Sequence, residues 1–73
     1  MSEFEFVINQ IRKVLIEKYN LNEGDTTTTL LSQAISIDKD FEPIFLRIVY
    51  LLNKPMLEDY ELNSLKKLFN VIK

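Results

Sequence analysis

The densest run of ionisable side chains is Asp38-Lys39-Asp40-Phe41-Glu42, in which acids stand at alternate positions. Alternate acids open the calcium loop of an EF-hand, which also needs a glycine at its sixth position and a bidentate glutamate at its twelfth. Those two positions hold Pro43 and Val49 here, so the sharp turn and the strongest ligand are both missing. We therefore interpret these acids as helix-capping and partner-facing charges, and we predict no metal site.

The residue types that most often carry catalysis are absent, because the chain has no His and no Cys. Disulfides, thiolate nucleophiles, imidazole ligands and the commonest general base are thereby excluded. The acids Glu58 and Glu61 fall at a predicted helix start, where negative charge favours the helix dipole without any catalytic role. The threonines of residues 26–29 are typical of a polar loop. The sequence predicts no catalytic residue and no enzyme.

Charge and hydropathy narrow the classes of partner. The formal net charge is −2 with acids and bases interspersed, so the chain lacks the basic surface that binds phosphate backbones. Its longest apolar-rich stretch, residues 41–52, is shorter than the roughly 20 residues of a membrane span. The acidic N-terminal segment does not have the pattern of a secretory signal. We expect a cytoplasmic protein that binds another protein, does not bind nucleic acid and has no membrane-spanning segment.

A first helix is predicted from Ser2 to near Asn20. Ser2 and Glu5 form a capping-box pattern, in which each side chain satisfies a backbone N–H at a helix start. Asn20 and Gly24 tolerate the left-handed conformation that ends helices, after which Leu21 is expected to fold back as a hydrophobic cap. Between these ends, apolar residues recur at helical spacing, namely Phe4, Val7, Ile8, Ile11, Val14, Leu15 and Tyr19.

A long connection over residues 21–39 is predicted to follow the first helix. A structureless loop of this length is uncommon in a small domain, so we expect a short helical turn within it. Its apolar residues place this turn over residues 30–35, with Thr28 or Thr29 as its N-cap. The turn is expected to pin the loop to the core.

A central helix is predicted next, capped by Asp38 or Asp40 and ending near Asn53. Pro43 is accepted in a first turn, where its missing N–H has no helical partner in any case. Apolar residues cover nearly the whole circumference of this helix, which indicates that it lies at the centre of the fold or is covered on two sides. They are Phe41, Ile44, Phe45, Leu46, Ile48, Val49, Tyr50, Leu51 and Leu52.

After Lys54 and Pro55, a last helix is predicted with Asp59 or Asn63 as its cap. Its apolar residues again have helical spacing, at Leu62, Leu65, Leu68, Phe69 and Ile72. A chain of 73 residues holds one core. The sequence therefore predicts a single all-α domain over residues 1–73, a small three- to four-helix bundle with a long loop between its first two main helices.

A partner-binding surface is predicted where the central helix begins. The acids are concentrated between Glu23 and Glu42, and a small core cannot cover an apolar helix on every side. The uncovered part then suits a partner helix or an apolar ligand, and pairing of two copies is one form of assembly. The predicted partner-binding residues are Asp38, Asp40, Phe41, Glu42 and Phe45.

The order of these elements resembles that of the acyl carrier proteins over nearly the full chain. In that family, phosphopantetheine is attached to the serine of an Asp-Ser-Leu motif at the start of the second helix. Laid alongside without gaps, Ser36 falls on that serine and Ile37 on the leucine, while Ile35 replaces the aspartate. A second register places Asp38 on the motif's aspartate and Lys39 on the attachment position.

The resemblance implies one of two alternatives: the chain is a divergent carrier with 4'-phosphopantetheine on Ser36, or it is a scaffold that has lost the group. An acyl-carrier-like bundle is the expected fold in both. The alternative is a non-enzymatic protein-interaction module, such as an immunity factor, an inhibitor or an adaptor. It would act through the apolar face of the central helix and the acidic loop.

Overall fold

The computed structural model describes residues 2–73, and this part of the chain forms helices and no strand. The four α-helices are α1 (Glu3–Tyr19), α2 (Thr27–Ile37), α3 (Glu42–Leu52) and α4 (Asp59–Ile72), and a 3-10 turn, Lys39–Phe41, precedes α3. Helices α1 and α3 each pack against both α2 and α4, so they lie on opposite sides of the bundle. The predicted all-α fold, a small helical bundle, is confirmed.

Helix α1 has the ends predicted for it. The hydroxyl of Ser2 accepts a hydrogen bond from the Glu5 backbone N–H at 3.1 Å. Asn20 ends the helix in the left-handed region with φ of 55°. The Leu21 backbone N–H then donates to the Ile16 carbonyl at 3.0 Å, which is the closing bond of a Schellman-type cap.

Helix α2 is longer than the turn predicted over residues 30–35. Thr26 is its N-cap and accepts a hydrogen bond from the Thr29 backbone N–H at 3.2 Å, so neither Thr28 nor Thr29 is the cap. The low helix propensity of threonine is overridden by packing, because one side of this helix enters the core. The residues that it buries are Leu30, Leu31 and Ala34.

Helix α3 begins one turn later than an Asp38 cap would place it. Phe41 occupies the N-cap position, and neither Asp38 nor Asp40 caps the helix with its side chain. The Asp38 carboxylate is engaged elsewhere, because it accepts a hydrogen bond from the Tyr19 hydroxyl at 2.9 Å. Pro43 lies in the first turn as predicted.

Helix α4 also has a different cap from the predicted Asp59 or Asn63. Glu58 is the N-cap residue, and its backbone N–H donates to the Glu61 carboxylate at 2.9 Å. This is one half of a capping box, built from an acid at each end. With Glu58 as the cap, Glu61 lies against the rest of the protein and is only 5% exposed.

The core lies between all four helices, and Phe45 is its largest fully buried side chain. The ring of Tyr19 meets Phe45 edge-on with centroids 6.1 Å apart, and Phe41 lies at 5.9 Å on another side. Within residues 2–73, no helix is both long and apolar enough to cross a membrane. The buried apolar residues are Val7, Ile11, Leu15, Leu30, Leu31, Ala34, Phe45, Ile48, Leu51, Leu65 and Ile72.

Candidate partner-binding site

The predicted acidic segment divides into exposed and engaged residues. Asp40 and Glu42 are exposed at the start of α3. Asp38 is half-buried and holds the Tyr19 hydroxyl. Phe41 is half-buried as well, with the Lys18 ammonium 4.9 Å from its ring centroid. Asp40 and Glu42 are therefore the predicted residues that a partner reaches without rearrangement.

Phe45 is not available to a partner, and its predicted role is wrong. Its side chain is 0% exposed. It lies on the side of α3 that also carries Ile48 and Leu51, three and six residues later, which is helical spacing toward the core. An aromatic side chain that fills the interior stabilises the bundle and cannot contact another protein while the bundle is folded.

The hydrogen bond from the Tyr19 hydroxyl to the Asp38 carboxylate joins the end of α1 to the end of α2. Partial burial raises the pKa of Tyr19 to about 12, and the hydrogen bond to the Asp38 carboxylate and its negative charge act in the same direction. The hydroxyl therefore keeps its proton and its role as donor throughout the physiological range. This contact is structural, because it holds the aromatic cluster around Phe45 in place.

An open helix surface lies on α3, opposite its core side. We call it the exposed α3 face. Leu46 and Tyr50, one helical turn apart at its centre, are 52% and 54% exposed. Glu42 stands at its N-terminal end, and Lys54 follows its C-terminal end. The exposed residues that compose it are Glu42, Pro43, Leu46, Arg47, Tyr50 and Asn53.

Two cations flank the aromatic ring on this face. The guanidinium carbon of Arg47 lies 5.1 Å from the Tyr50 ring centroid, and the Lys54 ammonium lies 5.6 Å from it. Cations at this distance are attracted by the ring's quadrupole. Tyr50 therefore presents to the solvent a ring that two cations contact.

A buried acid holds Lys54 in this position. Glu61 forms an ion pair with Lys54. The hydrogen bond from the Glu58 backbone N–H, followed by that from Lys54, lowers the pKa of Glu61, and Arg47 adds to the effect. The hydrogen bond to Glu61 in turn raises the pKa of Lys54, with smaller contributions from nearby Tyr50 and Tyr60. The basic end of the exposed α3 face is thus anchored to α4.

Ser36 is placed differently from what the resemblance implies. It lies in the last turn of α2, not at the start of a helix, and its hydroxyl donates to the Ser32 carbonyl at 3.3 Å. The side chain is exposed, and its neighbour Ile37 is 59% exposed. Ser36 is therefore accessible, but it lacks the helix N-terminus and its free N–H groups that the family places at the attachment serine.

A second open surface is a groove of about 420 Å³ between α1 and α4. Phe6, Val7 and Phe69 form its apolar part, and Phe6 is 55% exposed. The ion pair between Glu3 and Lys66 lies on its rim. This groove is apolar but carries no ordered charge pattern like that of the exposed α3 face.

Sequence reasoning missed Leu46 and Tyr50 as site residues. Both were included in the apolar run of the central helix, but nothing in that run separates its exposed members from its buried ones. The signal was Arg47, since a charge inside an otherwise apolar stretch marks the solvent side of a helix.

Comparison of the chain with models of known protein families, with curated proteins and with solved structures finds no significant match.

Proposed function

We propose that this protein is a non-enzymatic protein-interaction module that docks through the exposed α3 face. The observation that carries the proposal is the exposure of Leu46 and Tyr50 beside each other at the centre of a regular helix, 52% and 54% respectively. A helix with an apolar centre and charged ends has the form that lies in a groove or along a helix of another protein.

The composition of the face supports the same function. Tyrosine and arginine are among the side chains most enriched in residues that dominate binding energy, and here Arg47 lies against the ring of Tyr50. Complete burial of a leucine contributes about 1.5–3 kcal/mol, so covering the open half of Leu46 contributes roughly half of that. The apolar centre supplies affinity, and the charges at its ends supply orientation.

A photo-crosslinking experiment tests the proposal. A photoreactive phenylalanine analogue replaces Leu46 in one variant and Lys13 in a control, both in the full chain expressed in its native cells. Lys13 is exposed on α1, on the opposite side of the bundle. We expect discrete protein adducts from position 46 and none from position 13. Equal adduct yields at both positions, or none at position 46, would refute the interaction face.

Carriage of phosphopantetheine on Ser36 is the second candidate function, and the observation in its favour is the exposure of that hydroxyl. Intact mass is measured after incubation with coenzyme A and a broad-range phosphopantetheinyl transferase. A carrier gains the mass of one phosphopantetheine group, and Ser36→Ala abolishes the gain. A protein that stays unmodified, or a modification that survives Ser36→Ala, removes this candidate.

A further inference from the structure

We infer that the partner of the exposed α3 face is a second copy of this chain, packed antiparallel across a two-fold axis. This inference rests on the proposed function. It follows from the order of side chains along the face. The acids Asp40 and Glu42 precede the apolar centre, and the bases Arg47 and Lys54 lie beside and beyond it. A surface with opposite charges at its two ends is complementary to itself when one copy is reversed.

The antiparallel arrangement sets the apolar centres of the two copies against each other and opposite charges at their ends. With the axis passing level with Ile48, Leu46 lies opposite Tyr50 of the other copy, and each such contact occurs twice. Glu42 then lies opposite Lys54. The dipoles of the two helices also run in opposite directions, which is their favourable arrangement. A parallel pairing would instead set acid against acid and base against base, at a cost in binding free energy.

Glu42 has no ion-pair partner within the described residues, whereas Lys54 is already paired with Glu61. Within residues 2–73 the ion pairs are Lys54–Glu61 and Lys66–Glu3. Asp40, Glu42 and Arg47 therefore have no ion-pair partner in the described part of the chain. Lys54 can bind Glu61 of its own chain and Glu42 of the second copy at the same time, because an ammonium has three donors and Glu61 takes one of them. The second copy supplies opposite charges to both ends at once.

The size of the face sets the expected strength. A standard interface buries roughly 800 Å² on each partner, and the whole surface of this protein is 4774 Å². Two half-exposed apolar side chains form only a small centre for such an interface. We therefore expect a weak dimer with a dissociation constant on the order of 1–100 μM, in rapid exchange with the monomer.

Sedimentation equilibrium of the full chain from about 10 μM to about 1 mM tests dimer formation. The 8.6 kDa chain is expected to approach twice its mass as concentration rises. Leu46→Ser and Tyr50→Ser are each expected to raise the dissociation constant by about tenfold or more. Val71→Ser is the matched control, because Val71 on α4 is 54% exposed and lies outside the face. Circular dichroism verifies that each variant is folded.

Cysteine cross-linking tests the orientation, and the absence of native Cys makes it unambiguous. Pro43→Cys and Asn53→Cys variants are mixed in equal amounts and oxidised. In the antiparallel dimer, position 43 lies opposite position 53 of the other copy, whereas two copies of position 43 are about 15 Å apart along the axis. We expect the mixed disulfide to dominate. Predominance of disulfides between identical variants would overturn the antiparallel arrangement.

Different results would remove the dimer alone or the dimer together with the interaction face. A chain that stays monomeric to about 1 mM, but still forms adducts with other proteins from position 46, overturns the dimer and keeps the interaction face. A monomer with no adducts from that position removes both. Equal weakening of the dimer by Val71→Ser and Leu46→Ser would also overturn the assignment, because assembly would then not depend on the exposed α3 face.

Discussion

The two sides of helix α3 both carry large apolar side chains, but these side chains lie in opposite environments. Phe45, Ile48 and Leu51 on one side are fully buried, while Leu46 and Tyr50 on the other are more than half exposed. All are large and apolar, and all lie within one helix of 11 residues. The difference comes from the neighbours, since α2 and α4 pack against only part of the circumference of α3. An apolar side chain is therefore a core residue only where another element covers it.

The largest effect is expected from truncation on the buried side. Phe45→Ala removes the largest side chain of the core and should lower the free energy of unfolding by about 3–5 kcal/mol. Such a loss is comparable with the whole stability of many small domains. Urea unfolding followed by circular dichroism measures it. A loss below about 1 kcal/mol would contradict the burial of this ring.

An intermediate effect is expected where the exposed face is anchored to α4. Glu61→Gln keeps an acceptor for the Glu58 N–H but removes the charge that holds Lys54, so the urea midpoint should fall at neutral pH. The pKa of Glu61 is lowered by folding. Its carboxylate therefore stabilises the fold above the unfolded pKa of 4.5, and this stabilisation is lost as the pH falls through the lower folded value.

The midpoints of the parent and of Glu61→Gln should accordingly converge in acid. Glu17→Gln serves as the control for the change in net charge, because Glu17 is exposed on α1. If the two midpoints instead differ by the same amount at every pH, the contribution of Glu61 is not electrostatic. The anchoring of the basic end would then need another explanation.

A smaller effect is expected from the polar contact at the edge of the buried side. Tyr19→Phe keeps the ring against Phe45 and removes only the hydrogen bond to Asp38, so unfolding should become easier by about 0.5–1.5 kcal/mol at neutral pH. The folded hydroxyl has a pKa of about 12 against 10.0 in the unfolded chain. The contribution is thus complete below pH 10.0 and is lost as the pH rises toward 12.

Stability profiles of the parent and of Tyr19→Phe, recorded between neutral and strongly alkaline pH, measure this contribution. The advantage of the parent should shrink above the unfolded pKa of tyrosine. Tyr60→Phe is the matched control, because Tyr60 is exposed on α4. An advantage that is independent of pH would show that folding does not raise the pKa of Tyr19.

The smallest effect is expected on the exposed face itself. Leu46→Ser should change the free energy of unfolding by no more than about 0.5 kcal/mol when measured on dilute monomer. Paired with Phe45→Ala, one position earlier in the chain, it compares the two sides of α3 directly. A destabilisation above about 1.5 kcal/mol would mean that Leu46 is covered within the monomer, and the proposed site would be lost.

Much of the fold followed from local patterns. The ends of α1 were predicted because Ser2 and Asn20 act on backbone groups within a few residues of themselves. The extent of α2 was not predicted, because threonines at its start disfavour helix and only the burial of Leu30 and its neighbours against other helices compensates. The cap of α3 was assigned wrongly because a 3-10 turn, with Asp38 at its N-cap position, precedes the helix, and because the Asp38 carboxylate accepts a hydrogen bond from Tyr19, 19 positions away.

The candidate site was predicted less well than the fold. The exposed acids Asp40 and Glu42 were identified from charge alone, since carboxylates stay in water unless they are paired. Phe45 was assigned to the partner-binding surface, but its side chain is buried. Leu46 was not assigned to that surface, but its side chain is exposed. Neighbouring apolar residues on a helix point about 100° apart, and their types do not say which direction is covered.

By itself, the sequence determined that the chain is helical, where its first helix begins and ends, and that cysteine and histidine chemistry is absent. These properties depend on backbone propensity, capping and the identity of side chains, which act locally. Only the tertiary structure decided which side of α3 faces solvent and that Glu61 holds Lys54 beside Tyr50. Those outcomes depend on which helices pack against each other, and burial is a property of neighbours that are distant along the chain.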